Sequence, residues 1–245
     1  MKRALLRATS SGPGCLACAF VAALPACAAS TAAPMAGPQP ADVTPAPVAA
    51  PALPIAAQAD VELRDPGVAI VHGQSLPFDG IAEGLAWPAL TKAVGPRKAG
   101  DVVVLQVARK VPMEDLLRAA WSVHEADVHV QSPDATGVMH AVELRAKREG
   151  APAAPGCHLA VFLRPDGSLR IAAPGGPRAI GGDRPDESLA RSLAEERVRC
   201  PIKYVAFGAE SDAAPWGPVF DVVLAVDRDK AAGDARYVLG QAMHR

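Results

Sequence analysis

Residues 102–131 carry the clearest pattern in the chain: an apolar run, a helical stripe, then a second extended run. Val102, Val103, Val104, Leu105 and Val107 form a short β-branched stretch of the kind found in a strand buried on both faces. Pro112 opens a helix, and Met113, Leu116, Leu117, Ala120 and Trp121 follow at i, i+3, i+4, i+7 and i+8, one apolar stripe. Glu114 and Asp115 lie in the first turn, where negative charge meets the positive end of the helix dipole. The spacing predicts a helix over 112–124. Val128, His129 and Val130 then resume an extended pattern.

The same order of patterns occurs twice. Val61-Glu62-Leu63-Arg64-Asp65-Pro66-Gly67-Val68 matches Val161-Phe162-Leu163-Arg164-Pro165-Asp166-Gly167-Ser168. Each is an alternating strand ending in a Gly/Pro/Asp turn, with 68–71 and 169–173 as the returning strands of two hairpins. Glu83-Gly84-Leu85-Ala86 and Leu90 parallel Glu187-Ser188-Leu189-Ala190 and Leu193. In the second of these helices Asp183 is placed to cap, Pro185 and Asp186 suit the first turn, and Leu189 and Leu193 share a face. Pro88 kinks or restarts the first, which ends at Gly95-Pro96. Next, 102–107 matches 202–207, and the helix over 112–124 matches 215–226, whose Trp216, Val219, Phe220 and Val223 form one stripe. Residues 236–239 close the second copy as 128–130 close the first.

Five elements repeated in order point to a duplicated unit. Between the copies, Val138, His140, Val142 and Leu144 alternate as an extra strand, and 149–156 is an Ala/Pro linker. The expected fold is α+β, with two tandem repeats, each a small mixed β-sheet with two helices on one face. They occupy 61–135 and 157–245, and 136–156 holds the extra strand and linker.

Composition changes the picture at the N-terminus. Lys2, Arg3 and Arg7 precede an apolar stretch at 15–24, which has signal-peptide length and falls short of the roughly 20 residues that span a bilayer. It ends in Leu24-Pro25-Ala26-Cys27, which resembles the lipobox of bacterial lipoproteins. That resemblance implies a signal over 1–27 and Cys27 as the acylated membrane anchor. Ala28 in the next position, where aspartate is absent, implies delivery to the outer membrane. An ordinary secretory signal cut after Ala28 or Ala29 fits the same small residues. Either route exports the chain. Residues 28–60 are mostly alanine and proline, without an aromatic side chain, and read as a disordered tether reaching up to about 100 Å at roughly 3.1 Å per residue.

A net charge of −1 without a basic run argues against a nucleic-acid partner, since phosphate binding requires a basic patch. Of five cysteines, Cys15 and Cys18 leave with the signal and Cys27 carries lipid. Cys157 and Cys200 remain, a candidate disulfide in an exported protein, worth roughly 4 kcal/mol if unstrained. Two separate buried thiols are the other reading.

Catalytic and metal chemistry find no constellation, so neither an active site, a metal nor a cofactor is expected. His124, Asp127 and His129 match neither the helical nor the strand spacing of a histidine ligand pair, and read as polar residues at a turn. Cys157 and His158, adjacent on a strand, point to opposite faces. Gly175-Gly176 and Gly181-Gly182 lack the phosphate-loop lysine and read as a turn into the following helix. Trp121 and Trp216 are assigned to the core at matching helical positions, and Trp87, beside Pro88, to an exposed contact.

The succession of hairpin, helix, strand, helix and strand is similar to the periplasmic domain of the ExbD/TolR family of biopolymer-transport proteins. The residues that carry the likeness are Leu163-Arg164-Pro165-Asp166-Gly167, 187–193, 205–210 and 216–226, with their matches in the first copy. The resemblance implies a non-enzymatic envelope role on the periplasmic side: a binding or scaffold element beside Tol/Ton-like complex proteins, in reach of peptidoglycan, with pairing through sheet edges either in a homodimer or between the two copies within one chain. Family members also carry a transmembrane helix with a proton-coupling aspartate. Residues 1–27 hold no acidic residue, so proton coupling is not expected of this chain. The family's Ala-Asp after the strand is replaced by Ala108-Arg109 and Ala209-Glu210. A peptidoglycan- or small-ligand-binding module unconnected to a transport motor is the alternative function.

Overall fold

Alternation of side chains decides which face of each strand enters the core. In β4 (Val102–Val107), Val103, Leu105 and Val107 are fully buried while Val102 and Gln106 are exposed. The expectation of burial on both faces is therefore corrected. An uninterrupted valine run resembles a doubly covered strand, but here the second face lies away from the core.

The structure, a computed structural model, describes residues 53–56, 58–81, 84–123, 126–146, 157–181 and 185–240. The first part contains β1 (Val61–Asp65), β2 (Val68–Val71), β3 (Gln74–Pro77), α1 (Pro88–Val94), β4, α2 (Met113–Ser122), β5 (Asp127–Pro133) and β6 (Met139–Ala146). The second contains β7 (Cys157–Leu163), β8 (Leu169–Ala173), β9 (Gly176–Ile180), α3 (Pro185–Arg199), β10 (Ile202–Ala209), α4 (Trp216–Arg228) and β11 (Arg236–Leu239). The fold is mixed α+β, with half-sheets of six and five strands and four helices among the described residues.

Strand order runs β3-β2-β1-β4-β5 in one half and β9-β8-β7-β10-β11 in the other. In both, two antiparallel hairpin strands flank a first strand that pairs in parallel with the strand after the first helix, and that strand pairs in parallel with the last. Gly67 and Gly167 hold equivalent turn positions at φ 68° and 79°, where a side chain would be strained. Strand β6 occurs once. It pairs antiparallel with β5 and, through Val238 opposite Arg145 and Leu239 opposite Ala146, in parallel with β11, so the half-sheets join edge to edge.

One continuous cluster of buried residues runs beneath both halves, from Val61 and Leu63 through Leu105, Leu116, Val130 and Leu144 to Phe207, Trp216, Phe220 and Leu239. Helices α1 and α2 touch each other, as do α3 and α4, and α4 also lies against β5 of the other half. The halves share a core.

Several expectations are refined. Strands β3 and β9 were not foreseen. Their sequences, QSLP and GPRAI, are short, proline-bearing and mostly exposed, in keeping with edge strands. Gly175 lies in the β8–β9 turn and Gly176 opens β9, so this pair does not lead into a helix; Gly182 and Asp183 lie outside the described residues. In the first copy the helix only restarts at Pro88 and closes on Gly95, so 84–86 stay outside it. Trp87 is buried, not exposed: its indole N–H donates to Pro77 O at 3.3 Å and its ring meets Phe78 edge-on at 5.5 Å. Asp60, read as the last residue of the tether, belongs to the sheet, because its N–H donates to Val104 O and its Oδ2 accepts from Val104 N. The other tether residues 28–52 and 57, and the linker 149–156, lie outside the described residues.

Candidate functional site

The segments entering α2 and α4 run antiparallel against each other, a second place, besides the β6–β11 pairing, where the two halves meet. Each helix starts after a proline, Pro112 and Pro215, with no side-chain cap. A helix start leaves backbone N–H groups without partners. Here each helix takes its acceptors from the loop that precedes the other. Met113 N donates to Ala214 O at 2.9 Å and Glu114 N to Asp212 O at 2.9 Å, while Trp216 N donates to Val111 O and Gly217 N to Arg109 O, both at 2.8 Å. These pairs interchange when the halves are exchanged, and Pro112 faces Pro215 at the centre.

That reciprocity fixes the residue equivalences. Ala108 N donates to Leu63 O and Glu210 N to Leu163 O, so Ala108 corresponds to Glu210. Arg109 therefore corresponds to Asp212, not to Glu210, because Glu210 is already matched by Ala108 and the second loop then holds one more residue. Likewise Met113, not Trp121, corresponds to Trp216. Trp216 is fully buried and Trp121 is half-buried.

Arg109 spans the junction. Its Nη1 and Nη2 donate to Asp221 Oδ1 and Oδ2 at 2.8 and 2.6 Å, and Nη1 also donates to Pro133 O at 3.1 Å. The Asp221 carboxylate raises the Arg109 pKa. Gly217 leaves room for this side chain, since a Cβ there would lie 2.8 Å from Arg109 Cβ and 2.9 Å from its Nε. Gly217→Ala is accordingly expected to cost about 1–3 kcal/mol by overpacking, read as a lower midpoint in denaturant unfolding. An unchanged midpoint would show that Arg109 yields freely.

Neighbouring charges are bound into turns. Asp134 accepts from Thr136 N and Oγ1, Val138 N and His140 Nε2 at 2.7–3.0 Å, and these bonds, those from Thr136 and His140 foremost, hold its carboxyl well below the usual range. Buried Asp115 accepts from Gly67 N at 2.7 Å and from Arg118 Nη1 at 3.0 Å, fastening the first hairpin to α2. Arg118 also donates to Glu114 at 3.0 Å and lies 4.2 Å over the Phe78 ring. In the second half Glu210 receives Arg164 and Arg170, at 3.4 and 3.2 Å. Burial, followed by Asp227, raises the Tyr237 pKa, which keeps the phenol protonated.

On the sheet face away from the core, outward positions are half-exposed or exposed: Val104, His129, Glu143, Tyr204, Ala206 and His158. His158 meets Tyr204 edge-on at 5.2 Å. Phe162, Val238 and Gln131 sit on the same face yet are buried, and none belongs to the common core. Gly208 allows the chain to pass close, because a Cβ there would fall 2.5 Å from Gly240 O. This face therefore mixes aromatic, polar and small side chains of varied exposure.

Cys157 and Cys200 are joined by a disulfide, Cα to Cα 5.8 Å, which ties the start of β7 to the end of α3. Cys157 is buried and His158 exposed, on opposite faces. Asp127 and His129 lie on β5, while His124 and Cys27 fall outside the described residues. Among the described residues no group of metal-ligating side chains converges, and no helix is long and apolar enough to cross a membrane. The junction was missed in the sequence because its bonds come from backbone atoms of two prolines' neighbours; the two prolines at matching helix starts were the available signal.

No family model, curated protein or solved structure matches the chain.

Proposed function

We propose that the protein is a duplicated, non-enzymatic envelope element in which two copies of one α+β unit, each a small mixed sheet with two helices on one face, are fused into an internal pseudo-dimer. The reading is supported by the equal strand order of the halves and by the reciprocal junction at 109–114 and 212–217. Its unit has the succession of elements on which the resemblance to the periplasmic ExbD/TolR domain rests. On this reading the chain acts as a binding or scaffold element in an envelope transport or stability complex, without a proton-coupling helix of its own. Cys27 anchors it by lipid on the periplasmic side, at the outer membrane.

The half-exposed face bearing Tyr204, His158 and His129 favours a second reading, a peptidoglycan-binding module independent of any motor. Cross-linking in cells followed by capture of Tol/Ton-like inner-membrane proteins supports the first; co-sedimentation with purified sacculi and no such capture supports the second. For the anchor, Cys27→Ser is expected to move the protein from a salt-resistant membrane fraction to the soluble fraction. A wild type that is already soluble would remove the anchor from the account.

A further inference from the structure

We infer that the junction is a charge-coded pairing surface, which accepts the unlike half of the chain and rejects a second copy of the same half. This rests on the pseudo-dimer proposed above and adds a rule for its assembly. The direct observation is the bidentate bond from Arg109 to Asp221, one residue from each half. Reciprocal backbone bonds make Arg109 equivalent to Asp212 and Glu114 equivalent to Gly217. Asp221 stands four residues after Gly217 in α4, and Arg118 stands four residues after Glu114 in α2. The two equivalent pairs of positions thus hold the same two charges with their ownership exchanged: Arg109 and Arg118 in the first half, Asp212 and Asp221 in the second.

Consider a junction built from two second halves. Asp212 of each copy would take the place of Arg109 and face Asp221 of the other, setting carboxylate against carboxylate twice. Two first halves would set Arg109 against Arg118 twice. Arg118 already holds Glu114 and Asp115 of its own helix, so the penalty is sharper for the second half. Like charges brought together at a partly dehydrated interface discriminate strongly, and repulsion of the wrong partner is the usual source of pairing specificity. A duplicated unit faces this problem directly, because every copy of the chain offers both kinds of half to its neighbours.

The test uses the full chain with Cys27→Ser and a protease site placed within 148–155, cut after folding, with the Cys157–Cys200 bond intact. The cut protein is passed through reversible denaturation, and native mass spectrometry counts like and unlike fragment pairs. Wild type is expected to return unlike pairs, with like pairs present only in trace. Asp221→Arg makes the second half self-complementary at both charge positions and sets Arg109 against a cation; its ratio of second-half to unlike pairs is expected to rise at least tenfold. Adding Arg109→Asp to that variant is expected to restore the unlike pair alongside the like one. Strand β6 occurs once and travels with the first fragment, so the second-half pair is scored on the junction alone. Like pairs at statistical share in wild type, fragments that do not re-form unlike pairs, or an Asp221→Arg fragment still held exclusively by the first half would each overturn the inference. Failure of the ExbD/TolR reading would leave these results unchanged.

Discussion

Trp216→Ala is expected to lower the unfolding free energy by about 3–5 kcal/mol, the range for deleting a large buried aromatic side chain. Trp216 is fully buried at the first position of α4, its backbone N–H bonds to Val111 of the other half, and its ring centroid lies 5.3 Å from that of Phe220. Truncation therefore opens a cavity beside the junction. The indole N–H finds no hydrogen-bond partner among the described residues, so Trp216→Phe gives up little polar bonding and is expected to retain most of the stability. Trp121→Ala, at a half-buried position, serves as the comparison and is expected to cost clearly less. Denaturant titration of the three variants checks the order, and equal losses for Trp121 and Trp216 would contradict it.

Removing the disulfide should have a comparable effect. Cys157 and Cys200 are 43 residues apart, and the closed loop contains β8, β9 and α3. Restricting the unfolded chain over such a loop contributes about 4 kcal/mol in the chain-entropy description. The paired change Cys157→Ser with Cys200→Ser, or reduction of the wild type, is expected to shift the denaturation midpoint by that amount, chiefly by relaxing the unfolded state. The variant should be indifferent to reductant. A shift below about 1 kcal/mol, or a reductant effect that persists in the variant, would contradict this assignment.

Much of the fold was legible wherever burial and periodicity coincide. Leu116, Leu117, Val219, Phe220 and Val223 lie on stripes set by helical spacing, and all are buried. The hairpin turns at Gly67 and Gly167 follow from residues that tolerate positive φ. What failed depended on tertiary context. The valines of β4 can serve a strand covered on one or two faces, and only the placement of the helices decides. Trp87 beside a helix-starting proline has the local pattern of a surface residue, and its burial comes from packing on Phe78. Edge strands β3 and β9 lack the apolar alternation that makes a central strand readable. At the junction, residue pattern alone sets Arg109 against Glu210, two positions from its counterpart Asp212: one position comes from the strand register, in which Val107 and not Ala108 answers Ala209, and one from the extra residue in the second loop. The cysteine pair was legible from counting alone, whereas the charge relation of Arg109 with Asp221 links positions 112 residues apart and required the fold.

Two halves of like strand order that share one core should unfold together. The most direct test is equilibrium unfolding of the full chain carrying Cys27→Ser, followed by far-ultraviolet circular dichroism and by tryptophan fluorescence. Trp87 and Trp121 report on the first half and Trp216 on the second, so the three possible single-tryptophan proteins read the halves separately. Coincident transitions with one midpoint are expected, once each protein's own change in stability is taken into account by its circular dichroism curve. Separate transitions for Trp216 and for Trp87 or Trp121 within the same range of denaturant would contradict a single unit built from two joined halves.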